Sequence, residues 1–123
     1  MDDEKAIRNL SKQILNRLGY EPESAEDGVE VIELYKKAKD SDKPFDAVIL
    51  DLTIKAGMGG KDAIKALLEI DPQVKAIVSS GYSTDPVITN FKEYGFIGAL
   101  PKPYIMKDMS DALNKAVKEQ HIT

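Results

Sequence analysis

The sequence of 123 residues contains no cysteine and a single histidine. Without cysteine the chain forms neither disulfide bonds nor thiolate metal sites, and it suits a reducing compartment. The histidine, His121, lies near the C-terminus with no second candidate ligand beside it. We therefore interpret it as part of the tail, and we do not expect a histidine metal site.

Long apolar runs and dense Lys/Arg runs are also absent. No stretch approaches the roughly 20 apolar residues of a membrane helix, and the first twenty residues are too charged for a signal peptide. The net charge of −4 argues against a nucleic-acid surface. We expect one cytoplasmic domain, residues 1–123, that binds neither a membrane nor a nucleic acid, and no internal repeat or linker divides it.

Apolar residues recur at helical spacing in several segments, and short apolar runs separate them. The stripes predict a first helix ending at Gly19, a second ending near DSDKP, a third after the glycines 57–60, a fourth from about Pro86 to Tyr94, and a last one. The runs Ala47–Leu52 and Lys75–Ser80 predict buried strands, and GALPKP predicts a short third strand. This alternation predicts an α/β fold with a parallel sheet.

Polar residues follow or end each of these strands. Asp51 ends the first, Ser79 and Ser80 end the second, and Lys102 follows the third. In an open parallel sheet these ends meet at one edge, where sites form. The pair Asp2–Asp3, which precedes the first helix, would join them there. Clustered carboxylates suit a hard cation such as Mg²⁺, a nearby lysine suits a phosphoryl group, and one carboxylate could act as a nucleophile.

Six motifs in this order resemble the receiver domain of two-component response regulators, and in particular chemotaxis regulators. They are DDE, AEDG (residues 25–28), VILDLTI, GMGG, IVSSGYS and PKP, and they cover nearly the whole chain. The resemblance implies a flavodoxin-like, doubly wound parallel sheet with strand order 2-1-3-4-5. It also implies a phosphoacceptor in a phosphorelay, which takes phosphate from a histidine kinase or a phosphotransfer protein and signals to a downstream protein target.

The resemblance also assigns metal ligands. Asp2 and Asp3 match the acidic pair of the family, with Asp3 as the direct Mg²⁺ ligand and Asp2 acting through water. Asp51 and the backbone carbonyl of Thr53 would complete the share of the Mg²⁺ shell that the protein supplies.

Three residues match the phosphoryl-handling positions of the family. Asp51 matches the phosphoacceptor, Ser80 matches the hydroxyl that bonds the phosphoryl group and moves on phosphorylation, and Lys102 matches the lysine that pairs with it. The bond from Lys102 to Pro103 is usually cis in the family. We expect a signalling protein rather than an enzyme.

Each of these residues also has an ordinary structural interpretation. Asp2 and Asp3 could cap the first helix, Ser80 could be a turn residue, and Lys102 could be a solvated lysine. Asp51 is harder to explain in this way, because an ionised acid after an apolar run needs water or a partner. The alternative function is a pseudo-receiver, a protein-interaction module that works without phosphorylation.

The chain departs from the family pattern in three places. Ala99 stands where the family usually has an aromatic switch residue, and the second strand would be the polar segment EPESA, with Pro22 inside it. Only Met1 precedes the acidic pair, so strand one is truncated or absent. An unpaired edge would result, and it predicts either self-association through that edge or a rearranged sheet, with a weakly anchored acidic pair.

Overall fold

Helices and parallel strands alternate along the chain in a computed structural model that describes residues 1–81 and 84–118. His121 lies outside the described residues. The elements are α1 (Lys5–Arg17), α2 (Gly28–Lys39), β1 (Val48–Asp51), α3 (Gly60–Ile70), β2 (Ala76–Ser80), α4 (Pro86–Thr89), a 3₁₀-helix (Phe91–Tyr94), β3 (Gly98–Pro101) and α5 (Met106–Lys118). The predicted α/β class is confirmed. Within these ranges, no helix has the length and apolar character needed to cross a bilayer.

The three strands form one parallel sheet in the order β1-β2-β3. Val48 pairs with Ala76 and Asp51 with Ser79, while Ser79 pairs with Leu100 on its other side. The predicted weak second strand does not form, since residues 20–25 contain no strand, and the sheet of the described residues has three strands rather than the five of the order 2-1-3-4-5. The three strands are parallel and lie in chain order, so the described residues do not form the rearranged sheet that was one of the two expectations.

Two apolar clusters cover the two faces of the sheet, because successive side chains of a strand point to opposite sides. Leu50 and Val78 belong to the cluster under α2 and α3, whereas Ile77 and Leu100 pack with α1 and α5. These four side chains are at most 1% exposed. The buried sheet fixes the positions of the polar residues at its upper edge.

The predicted single helix from Pro86 to Tyr94 is wrong. The chain forms the one-turn helix α4, leaves helical geometry at Asn90 (φ −119°, ψ 39°), and continues as the 3₁₀-helix. Three β-branched residues in α4, Val87 to Thr89, disfavour a longer helix. The predicted end is correct, since Gly95 has φ +98°.

Met1 takes a strand-like position beside the outer edge of β1. Its ammonium donates a hydrogen bond to Ile49 O (2.7 Å), and its carbonyl accepts one from the Asp51 N–H (3.0 Å). On the other side, the Asp2 N–H donates to Ala25 O (3.0 Å). These three backbone bonds carry the acidic pair to the edge of the sheet, although no first strand is formed.

Candidate functional site

The site lies where the three strands end. Asp51 is the last residue of β1, Ser80 is the last residue of β2, and Lys102 directly follows β3. Asp51 and Ser80 are only 2% and 3% exposed. Asp51 and Ser80 are thus both buried on the edge of the sheet where parallel α/β folds bind their ligands.

The acidic pair splits into a buried and a half-buried carboxylate. Asp2 is 3% exposed, and its Oδ1 accepts a hydrogen bond from the Glu4 N–H (3.0 Å). Asp3 is half-buried, and its Oδ2 accepts one from the Lys55 N–H (3.2 Å). Glu4 is the N-cap residue of α1, so Asp2 supports the start of that helix with one oxygen. Neither aspartate caps α1 as the structural interpretation expected, and the other oxygen of Asp2 lies beside Lys102.

Lys102 bridges two of the carboxylates. Its Nζ lies 2.7 Å from Asp2 Oδ2 and 3.2 Å from Asp51 Oδ1, and its side chain is 18% exposed. Burial disfavours the charged ammonium, but the Asp2 and Asp51 carboxylates outweigh it and raise the pKa of Lys102. The solvated-lysine interpretation is therefore wrong in this structure, because the ammonium is held between two acids.

Burial and several neighbouring groups act on the pKa of Asp51. Burial, followed by the charge of Asp2, raises this pKa, while Lys102 and the backbone N–H of Thr53 lower it, and the net shift is upward. Asp2, Asp3 and Asp51 present three carboxylates against the one ammonium of Lys102, so a divalent cation would relieve the repulsion among them.

Thr53 and Ser80 complete the predicted set. Thr53 contacts Asp51 through its backbone, while its side chain is exposed. Ser80 accepts a hydrogen bond on its backbone carbonyl from the Lys102 N–H (3.1 Å), which ties the ends of β2 and β3 together. Ser80 belongs to a strand and is buried, so the turn interpretation does not describe it. The Lys102–Pro103 peptide bond is cis, as predicted.

Two glycines let the start of α3 approach the strand that carries the acceptor. A Cβ on Gly60 would lie 2.9 Å from Asp51 O, and one on Gly59 would lie 2.8 Å from Leu52 O. Real Cβ atoms do not come this close to backbone oxygen, so only glycine allows this packing. The GMGG motif therefore allows α3 to pack closely against the end of β1 beside Asp51.

The sequence interpretation missed one residue near the site. The Tyr104 hydroxyl lies 2.5 Å from the Ser79 hydroxyl, and both side chains are buried. Burial raises the pKa of Tyr104 to about 12. An aromatic residue after Lys-Pro gives no sequence signal beyond that of a core residue, and only the tertiary structure shows that a serine hydroxyl lies beside it.

The donor set fits a divalent cation. Asp2, Asp3 and Asp51 each present a carboxylate oxygen, and these atoms lie within 4.8 Å of one another. Asp2 Oδ2 is buried beside Lys102 and, among the described residues, accepts no well-aligned hydrogen bond. Carboxylate oxygens in this number, with room for water, suit Mg²⁺.

The chain is similar to known proteins over nearly its whole length. Residues 1–118 match the family model of the response regulator receiver domain. The chemotaxis protein CheY of Thermotoga maritima is 34% identical over 119 residues, which cover 96% of this chain and 94% of that protein. Sporulation initiation phosphotransferase F of Bacillus subtilis is 30% identical over 115 residues, or 94% and 88% of the two chains.

A solved structure agrees with the sequence relatives. A response regulator receiver domain protein from Clostridium thermocellum superposes with a TM-score of 0.85 at 28% identity, covering 98% of this chain and 93% of that one. The likeness extends over the strands, the helices and the edge of the sheet where the acids lie.

Proposed function

This chain belongs to the response regulator receiver domains of two-component systems, and from that premise we propose that Asp51 accepts a phosphoryl group. The donor is a phosphohistidine on a histidine kinase or a phosphotransfer protein. The P–N bond of the donor breaks as a bond forms between phosphorus and a carboxylate oxygen of Asp51. The imidazole, which carries a proton on its second nitrogen, leaves as a neutral group.

One observation carries the proposal, namely the pair of contacts that Lys102 makes with Asp2 and Asp51 at 2.7 and 3.2 Å. They support the proposal, because an ammonium beside Asp51 would meet the oxygens of a phosphoryl group on that carboxylate. Phosphoryl transfer asks a protein mainly for positioning and charge neutralisation. A half-buried lysine held beside a buried carboxylate would supply both.

Mg²⁺ is the cofactor of this proposal. Asp2, Asp3, Asp51 and the carbonyl of Thr53 would hold it, with Asp3 as the direct ligand and Asp2 acting through water. When bound, it would neutralise charge on the transferred group. The residues of the chain then orient the acceptor, since the Thr53 N–H and the Lys102 ammonium both contact the Asp51 carboxylate.

The phosphoryl group then changes the charge at the ends of the strands by roughly one to two units. The Ser80 hydroxyl and its loop turn toward the new oxygens, which biases the surface that a downstream protein reads. The protein signals in this way and turns over no separate substrate.

The test is labelling with acetyl phosphate, with and without Mg²⁺, followed by intact-mass measurement. The parent should gain one phosphoryl group only when Mg²⁺ is present, and Asp51→Asn should gain none, because the amide is a far poorer nucleophile. Asp46→Asn, which removes an exposed carboxylate just before β1, is the matched control and should label like the parent. Equal labelling of Asp51→Asn and the parent would overturn the acceptor assignment. No labelling of the parent by acetyl phosphate or a kinase would favour the pseudo-receiver.

A further inference from the structure

A buried pair of hydroxyl groups lies under the site, on the face of the sheet that packs against α1 and α5. Ser79 is fully buried, Tyr104 is 7% exposed, and their oxygens are 2.5 Å apart. Tyr104 packs in the apolar cluster with Ile77, Leu100 and Met109. Among the described residues, the Ser79 and Tyr104 hydroxyls pair with each other, and a buried hydroxyl that lost its partner would cost about 1–3 kcal/mol.

The pair joins two segments that carry site residues. Ser79 precedes Ser80 and lies in register with Asp51 on the neighbouring strand. Tyr104 follows Lys102 by two residues. The Lys102 N–H donates to Ser80 O, so two hydrogen bonds, one on each side of Pro103, connect this turn to the end of β2.

The charges of the site reach the phenol. Burial raises the pKa of Tyr104 to about 12, the hydrogen bond with Ser79 and the charge of Lys102 lower it, and the charges of Asp2 and Asp51 raise it. The phenol is therefore neutral at physiological pH, and it shares the hydrogen bond with Ser79 as a neutral hydroxyl.

We propose that the Ser79–Tyr104 hydrogen bond positions the Lys102 ammonium against the phosphoryl group on Asp51. The proposal rests on the proposed function and deepens it. Lysine has a flexible four-carbon stem, so the place of its ammonium depends on where the backbone of residues 101–104 is held. A misplacement of about 1 Å at such a contact costs up to about a hundredfold in phosphoryl-transfer chemistry. Tyr104 is a positioning residue, because its hydroxyl acts through Lys102.

The test compares Tyr104→Phe, Ser79→Ala and the double variant with the parent. The first readout is the affinity for beryllofluoride in saturating Mg²⁺, since this complex mimics a phosphoryl group, and Mg²⁺ affinity alone is measured beside it. We expect each single variant to bind beryllofluoride about tenfold more weakly, a loss of about 1.4 kcal/mol in binding free energy. The affinity for Mg²⁺ should change little. The double variant should be no worse than either single variant, because both remove the same link.

The matched control is Tyr35→Phe. Tyr35 is also buried and also donates a hydrogen bond, at 2.7 Å to Asp71, but it joins α2 to the end of α3. This control should lose stability to urea as Tyr104→Phe does, yet bind beryllofluoride like the parent. If Tyr104→Phe lost stability and kept its beryllofluoride affinity, the link would be structural only and the proposal overturned.

A second readout separates this proposal from the proposed function. Hydrogen exchange of the Lys102 amide reports how often the turn opens, and the Leu52 amide, which donates to Ser79 O, is the internal reference. Tyr104→Phe should speed exchange at Lys102 about tenfold relative to Leu52, and Tyr35→Phe should not. If the parent bound no beryllofluoride, the proposed function would fail, and an unchanged exchange ratio would overturn the positioning role independently.

Discussion

The acidic pair and the Lys102 turn (residues 101–104) lie on opposite sides of Asp51, but they differ in the number of hydrogen bonds that attach them to the sheet. The turn follows β3, which pairs with β2 from Gly98 to Pro101, and further bonds from Lys102 and Tyr104 continue that contact. The acidic pair depends on the backbone bonds of Met1 and Asp2 at the outer edge of β1. Mg²⁺ binding should therefore respond to changes at this edge, whereas phosphoryl binding should respond to changes in the turn.

Removal of the lysine should have the largest effect. In Lys102→Ala the carboxylates of Asp2 and Asp51, 3% and 2% exposed, face each other without a cation. Removing one partner of a buried ion pair lowers the free energy of unfolding by several kcal/mol. Because the Lys102 side chain is 18% exposed to water, we expect a loss of about 2 kcal/mol at pH 7 without Mg²⁺. Urea unfolding measures the loss, and Lys107→Ala, on the exposed start of α5, is the control.

The same variant tests the division of labour. Beryllofluoride binding should weaken far more than Mg²⁺ binding, because carboxylates hold the metal and the ammonium meets the phosphoryl oxygens. A collapse of Mg²⁺ affinity with beryllofluoride binding retained would mean that the two roles are reversed.

The sequence predicts the positions of these residues better than their contacts. Asp51 and Lys102 could be placed at the edge of the sheet, because apolar runs mark the strands and parallel strands end together. The ion pairs of Lys102 could not be predicted, since a long side chain has many rotamers and the choice depends on tertiary neighbours. The break at Asn90 was missed although the β-branched residues Val87 to Thr89 carry a local signal for it. The bonds of Met1 to β1 join residues 48 or more positions apart in the chain, so no local pattern predicts them.

An added strand tests the weaker of the two attachments. Six apolar residues placed before Asp2 would run along β1 past Ile49, where Met1 already makes strand-like bonds. Burial of these apolar side chains stabilises the fold, and the conformational entropy lost in ordering them opposes it. The net gain should be about 2 kcal/mol, and Mg²⁺ binding should tighten. Thermal unfolding and Mg²⁺ titration measure the two effects, and a Gly/Ser extension of equal length is the control.

Light scattering completes this experiment. An unpaired edge predicts that the parent self-associates at high concentration and that the apolar extension suppresses it. A monomeric parent whose stability and Mg²⁺ affinity do not respond to the extension would show that the edge needs no further strand.

Within the acidic pair, Asp3 should matter more for the metal than Asp2. Asp2 already has Lys102 at 2.7 Å, whereas Asp3 is half-buried and accepts a single backbone hydrogen bond among the described residues. Asp3→Asn should weaken Mg²⁺ binding about tenfold, or about 1.4 kcal/mol, and Asp2→Asn should weaken it less. Calorimetric titration measures both, with Glu4→Gln as the exposed control. A greater loss for Asp2→Asn would make Asp2 the direct ligand.

The smallest expected effect is a gain in stability when Asp51 loses its charge. Burial and the charge of Asp2 raise the pKa of Asp51 above its unfolded value of 3.8, so the folded protein binds this proton more tightly than the unfolded chain does. Stability therefore falls as pH rises from the unfolded to the folded pKa, and the ionised carboxylate is a net cost at pH 7. Because the ion pair with Lys102 is lost at the same time, we expect Asp51→Asn to be more stable by only about 1 kcal/mol without Mg²⁺, or about 4 °C in Tm. The difference should vanish below the unfolded pKa, and Asp46→Asn should show none at either pH. If Asp51→Asn were instead less stable than the parent at pH 7, the ion pair from Lys102 would outweigh the burial of Asp51, and the upward direction of its pKa shift would be wrong.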